Sequence, residues 1–197
     1  MGSDRKTLIL SAARQLFQEK GLGMSTMEDV AKAAGMGKSS LYYYFKSQEE
    51  IFDAVLEAEV GEILQESIRQ MSRKNGLSAK LSAFANVKFE MARKRKFLYR
   101  ATEAGIDAET LSRYQSLKKM IHKRYLQKET ILLQQLFVTA CAEQEIRELS
   151  REALDNAVFV FLAALRGINR EITLHWTADE APGRLAALCE IFYKGLL

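Results

Sequence analysis

The sequence predicts an all-α protein: an N-terminal three-helix domain followed by a larger helical domain, about nine helices in all. Three observations predict it. Apolar residues recur at three- and four-residue steps along nearly the whole chain, as in Ile9, Ala12, Ala13, Leu16, Phe17 and again in Phe52, Val55, Leu56, Ile63, Leu64. Strand-like alternation is absent. One proline and 11 glycines among 197 residues leave few interruptions to a helical chain.

The first helix is expected from Asp4 to Lys20, closed by Gly21-Leu22-Gly23, because glycine takes the positive φ that ends a helix. A second, about Thr26 to Ala34, and a fourth, from Gln48 to near Arg73, each follow a capping-box pattern, Ser25-Thr26-Met27-Glu28 and Ser47-Gln48-Glu49-Glu50. Between them lies a third, Lys38 to Phe45. Ser78 opens a helix that reaches Arg93-Lys94-Arg95-Lys96, and a short helix to about Gly105 follows. The stripe Tyr114, Leu117, Ile121, Tyr125, Leu132, Leu136, Ala140 predicts one long helix, with a turn at residues 145–149 and Ser150 as the next N-cap. Leu154, Ala157, Val158, Phe161, Leu162, Leu165 and Ile168 then mark a broad apolar stripe. The last helix carries Leu185, Leu188, Cys189, Phe192 and Leu196, with Pro182 in its first turn.

Composition narrows the function classes. Hydrophobic residues at 48% and charged residues at 27% describe a globular chain. No apolar run approaches the roughly 20 residues of a membrane span and no signal peptide is apparent, so a cytoplasmic location without membrane contact is expected. Cys141 and Cys189 read as small hydrophobes in a reducing compartment. The net charge of +4 is compatible with a polyanion partner without establishing one. His122 and His175 have no companions at metal-ligand spacing, and no phosphate-binding glycine loop, HExxH or GxSxG occurs. No metal, cofactor or catalytic residue is therefore expected, and the chain reads as a binding protein rather than an enzyme.

The segment from Val30 to Phe45 places two short helices around a glycine turn, the helix-turn-helix arrangement. Ala31 is small where helices cross, Gly35 suits the turn, and Val30, Leu41 and Phe45 are apolar where the pair needs a core. The second helix of the pair is left with Lys38, Ser39, Ser40, Tyr42, Tyr43 and Lys46 facing outward. Lys38 and Tyr43 are expected to read bases of double-stranded DNA, while Ser40, Tyr44, Lys46 and the Ser25/Thr26 end of the preceding helix hold phosphates. Adjacent tyrosines cannot all face one side of a helix, which argues against three core aromatics.

Residues 8 to 52 resemble the N-terminal domain of the TetR family of one-component repressors. Ile9, Ala12-Ala13, Leu16-Phe17, Gly21, Ser25, Val30-Ala31, Ala34-Gly35-Met36, Leu41 to Lys46 and Glu49-Glu50-Ile51 carry the resemblance. Two positions depart from it: Gly37, where the family commonly has a serine that caps the recognition helix, and Gln48, where it has a phosphate-contacting lysine. The resemblance implies a DNA-binding domain over 1–47 and a helical effector-binding and dimerisation domain over 48–197. It implies a homodimer on a pseudo-palindromic operator, released by a small-molecule effector whose identity the sequence leaves unknown.

By the same analogy, Phe161, Leu165, Leu188 and Phe192 are candidates for a four-helix dimer interface, with monomer core as the alternative. Phe89, Tyr114, His122, Tyr125 and Phe137 are candidate effector contacts, with core packing as theirs. The basic runs 88–100 and 113–128 read as solvated helix faces, or else as aids to DNA steering or a port for an anionic effector. The competing functional reading is a helical ligand-binding or protein-interaction module without sequence-specific DNA binding.

Overall fold

The computed structural model describes residues 2–20, 23–101, 108–175 and 178–197, with side chains described for these except 2–3, 92, 94–101, 108–111, 113, 114, 117, 118, 121, 173 and 178. Among them the chain forms eight α-helices, one 3-10 turn and no strand. These are α1 (Gly2–Lys20), α2 (Met27–Ala33), α3 (Lys38–Tyr44), α4 (Gln48–Met71), α5 (Leu77–Ala101), α6 (Ala108–Ala142), α7 (Arg151–His175) and α8 (Ala181–Lys194), with the 3-10 turn at Ala178–Glu180. The helix expected to end at the basic stretch instead runs through it to Ala101, since no glycine or proline lies there to stop it. The separate short helix expected near Gly105 falls on residues 102–107, outside the described ones.

Two compact units are distinguished, one of residues 1–61 and 94–124, the other of 62–93 and 125–197. In the first, Ile9, Ala13, Leu16 and Phe17 of α1, Val30 and Ala31 of α2, Leu41 of α3, Phe45 just after it, and Ile51, Phe52 and Val55 of α4 are all buried. Phe17 meets Phe52 edge-on, ring centres 6.1 Å apart. The second has its own core, centred on Leu81, Phe84, Phe89, Leu133, Phe137, Phe161, Leu165, Leu185 and Cys189.

Helix ends in the second unit are settled by contacts distant in sequence. Ser78 does not cap α5. The helix begins one residue earlier, and the Leu77 N–H donates to both carboxylate oxygens of Glu145, at 2.9 and 3.0 Å. Gly76, at φ +78°, turns the chain into that position. At the end of α6, Gln144 adopts φ +59°, its N–H donates to Cys141 O and the Glu145 N–H donates to Ala140 O, so the helix closes in a Schellman motif without glycine. Ser150 does cap α7 through the Ala153 N–H, 3.2 Å from its Oγ. Pro182 sits in the first turn of α8 as expected.

Candidate functional site

The α2–α3 pair is assembled by its turn. The Gly35 N–H donates to Lys32 O and the Met36 N–H to Ala31 O, closing α2 in a Schellman motif around Gly35 at φ +65°. At the other end of α2 the capping box is displaced by one residue from its expected place. Thr26, not Ser25, is the N-cap: its Oγ1 accepts from the Asp29 N–H at 3.1 Å, while Asp29 Oδ2 accepts from the Thr26 N–H at 3.0 Å. Both registers are written in Ser-Thr-Met-Glu-Asp. The extended backbone of Thr26 (φ −120°, ψ 164°) selects the second, and Ser25 is buried at 5% exposure. The hydrogen bonds from Thr26, and secondarily Lys20, hold the Asp29 carboxyl below its usual range.

Helix α3 starts at Gly37 with no side-chain cap, the consequence expected of a glycine there. Its inner face is fixed by Leu41, fully buried, and by Phe45, 1% exposed. Its outer face is open: Lys38, Ser39, Ser40, Tyr42 and Lys46 are exposed and Tyr43 is 79% exposed. Tyr44 is half-buried and packs edge-on against Tyr43, ring centres 5.2 Å apart. Lys38 Nζ lies 3.5 Å from Glu28 on α2, a solvent-exposed pairing that costs little to exchange for a phosphate or a base. Lys46 Nζ donates to Tyr42 O at 3.1 Å.

Of the phosphate-holding residues expected at the start of α2, Ser25 is turned into the protein and the Thr26 hydroxyl is engaged in its cap. Gln48 has a structural use that the sequence did not reveal. Its amide donates to Ser25 O at 2.9 Å, tying the start of α4 to the loop before α2. Further ion pairs fasten the same unit. Arg14 on α1 lies 3.2 Å from the buried carboxylate of Glu59 on α4, and Arg124 on α6 meets Asp53 and Glu57 of α4 at 3.3 and 2.7 Å. Arg124, expected among solvated charges, is thus paired.

This arrangement is a compact trihelical head with an apolar inner face and a basic, hydroxyl-rich outer one. Residues 9–55 match the sequence model described as bacterial regulatory proteins, tetR family. Over 71 residues the chain is 41% identical to an uncharacterized HTH-type transcriptional regulator, YhgD, of Bacillus subtilis, covering 36% of this chain and 37% of that one. Over 54 residues it is 44% identical to the HTH-type transcriptional repressor KstR2 of Rhodococcus jostii, covering 27% and 26%. The chain therefore matches about a third or less of the length of these curated relatives. The fold match extends further: the structure of the transcriptional regulator FadR from Bacillus subtilis in complex with stearoyl-CoA aligns over 97% of this chain and 99% of that one, with a TM-score of 0.64 at 19% identity. The likeness beyond residues 9–55 is one of fold, and it runs along nearly the whole chain.

In the second unit, the candidate effector contacts are placed unequally. Phe89 and Phe137 are buried in the core, and Tyr125 lies beside Lys88, whose Nζ is 5.0 Å from its ring centre. His122 is exposed and belongs to the other unit; the Tyr114 side chain lies outside the described residues. Lys88, expected on a solvated helix face, is instead inside: it forms an ion pair with Glu129 at 2.5 Å, with side-chain exposures of 11% and 0%. The signal was present, since Lys88 continues the stripe Leu77, Leu81, Phe84 and Glu129 falls between Tyr125 and Leu132 at helical spacing. Phe161 and Leu165, candidates for the dimer interface, are fully buried in their own unit and have no surface to offer a partner. Leu188 and Phe192 are half-buried. On α7 the exposed residues Val160, Gly167 and Leu174 follow one another at seven-residue steps. Between α7 and α8 lies an open, largely apolar groove lined by Ile168, Ile172, Ala187, Leu188 and Ile191 together with the charged Glu171 and Arg184. Among the described residues no cluster of His, Cys, Asp and Glu could hold a metal ion, and no helix is long and apolar enough to cross a membrane.

Proposed function

We propose that this chain is a DNA-binding transcriptional regulator, a repressor released from a pseudo-palindromic operator by a small-molecule effector. The observation that carries the reading is α3: one face is locked into an apolar core by Leu41, while Lys38, Ser39, Ser40, Tyr42 and Tyr43 stand in solvent. Lysine reaches guanine O6 and N7, tyrosine and serine hydroxyls reach phosphate or base edges, and a helix of this kind fits the major groove. Lys38 and Tyr43 are assigned to bases, with Ser40, Tyr44 and Lys46 on phosphates.

Such a reader works as a two-fold pair, with recognition helices about 34 to 36 Å apart on successive major grooves. The second copy is assigned to the exposed faces of α7 and α8, through Val160, Leu174, Ala187, Leu188 and Ile191. Residues 1–47 then carry DNA recognition and 48–197 carry effector binding and dimerisation. The effector acts by binding one arrangement of the helical part better than the other, and operator affinity falls by that difference. FadR of Bacillus subtilis in complex with stearoyl-CoA is a precedent for a small ligand on this fold. The reaction is binding and release; no bond is made or broken.

A fluorescence-anisotropy titration of the protein against the DNA upstream of its own gene tests the proposal, with a shuffled duplex of equal length as reference. The expected outcome is a preference of about 10³-fold or more at physiological salt. Equal affinity for the two duplexes would favour the module without sequence-specific DNA binding.

A further inference from the structure

Glu129 of α6 is fully buried, and a carboxylate there offers four lone-pair directions. Among the described residues Lys88 is the partner that meets it, and neither oxygen accepts another hydrogen bond. A buried ion pair so sparsely satisfied adds little to stability, so stability does not explain its presence. Two rings stand against the same ammonium: the ring centre of Tyr125 is 5.0 Å from Lys88 Nζ and that of Phe84 is 5.7 Å away. A carboxylate with aromatic faces beside it is a cation site. In this structure the chain's own lysine fills it.

The two charges differ in freedom. Glu129 is sealed on the shaft of α6, whereas Lys88 stands on a flexible four-carbon stem and retains 11% exposure, enough to lead its ammonium toward water. Burial, and after it the nearby Arg166, press against the charged lysine and leave its pKa below the usual range in spite of Glu129. The cation is therefore the exchangeable member. An anionic ligand would have to displace Glu129, which has no route to solvent and would be left as an unpaired buried charge.

We propose that the Glu129–Phe84–Tyr125 box binds a slender aliphatic ammonium ion, which takes the place of Lys88 while the lysine turns to solvent. The Lys88 side chain is a tethered butylammonium and sets the size of the ligand. As the effector's binding point, the site rests on the regulator reading above; as a binding site it is tested without DNA. Because one cation replaces another, the charge of the core is unchanged by the exchange.

The test titrates n-butylammonium chloride into the full-length protein by calorimetry and thermal melting, with n-butanol and sodium butyrate as controls. In Lys88→Ala, butylammonium is expected to raise Tm saturably and to bind at least about tenfold more tightly than in the wild type, where the tethered ammonium competes. The double variant Lys88→Ala/Glu129→Gln loses the response. If Lys88→Ala does not fold, the wild type decides: its Lys88 Cε–Hε resonance moves to the position of an exposed lysine as butylammonium is added. A saturable response to butyrate instead, a response to butanol equal to that of the amine, or no response in any folded form overturns the proposal. Operator affinity of the unliganded protein is measured separately, so failure of DNA recognition is distinguishable from failure of this site.

Discussion

The TetR-type head and the helical body are built from the same element and keep their charges in opposite places. Among the described residues, helices α1 to α3 themselves bury only apolar side chains and carry lysines and hydroxyls outside, the buried Glu59 that Arg14 meets belonging to α4, whereas α5 and α6 close a lysine and a glutamate into the core. A partner as large as a duplex, as proposed for the head, would be met on the surface, which leaves α1 to α3 free to be apolar within. A small ligand, as proposed for the body, would be met by being enclosed, which calls for polar groups where they cost most. Position of charge separates the two proposed tasks more clearly than secondary structure does.

The largest test of the contrast is a pair of cavities. Leu41→Ala and Phe137→Ala should each cost about 2–5 kcal/mol of unfolding free energy in denaturant titration. Only the first should also abolish operator retention under conditions where the protein stays folded, because Leu41 sets the direction of α3. Comparable loss of retention in both would mean that the head does not act as a separable reader.

Next come Lys38→Ala and Tyr43→Ala, each expected to weaken operator binding by about 1–3 kcal/mol with stability unchanged within about 0.5 kcal/mol. Gly76→Ala should destabilise by about 1–2 kcal/mol, since it forces a side chain into φ +78° with its Cβ 2.8 Å from Glu145 Oε1, the atom that caps α5. Operator affinity should not follow. The converse change, Gln144→Gly, relieves a left-handed residue and should raise stability by up to about 1 kcal/mol. Neither change touches the head.

The smallest effect concerns pH. The folded pKa of Asp29 is depressed below its usual 3.8 by Thr26 and Lys20, so its contribution is present above that value and is lost as pH falls through the folded one. The Thr26 and Asp29 amide resonances should therefore titrate below pH 3.8, and the contribution of this cap should be constant from pH 5 upward. A midpoint at or above the usual value would remove the cap from the account of α2.

The head was legible because its constraints are local. Gly35 at a fixed offset from Ala31 and Leu41 defines the turn, and α3 follows from it with bounds within one residue of those expected. Its cap register was not legible, since Ser25 and Thr26 each have an acid three residues on and only the backbone angle of Thr26 decides. In the body, the ends of α5 and α6 depend on Glu145 reaching Leu77 across 68 positions and on a glutamine in a glycine conformation, neither of which leaves a local mark. Phe161 and Leu165 were read for an interface because a buried stripe and a partnered stripe look alike in sequence. The buried pair was hidden for a similar reason: Lys88 opens a basic run and so resembles the charges that follow it.

The proposed function turns on α3 reading DNA by its outward side chains. The most direct measurement is the salt dependence of operator binding for wild type and Tyr43→Ala, each against operator and shuffled duplex. Tyr43→Ala is expected to remove about 10-fold or more of the preference for operator while leaving the slope of log affinity against log salt unchanged, as loss of a base contact should. An unchanged preference, or a loss shared equally by both duplexes, would contradict it.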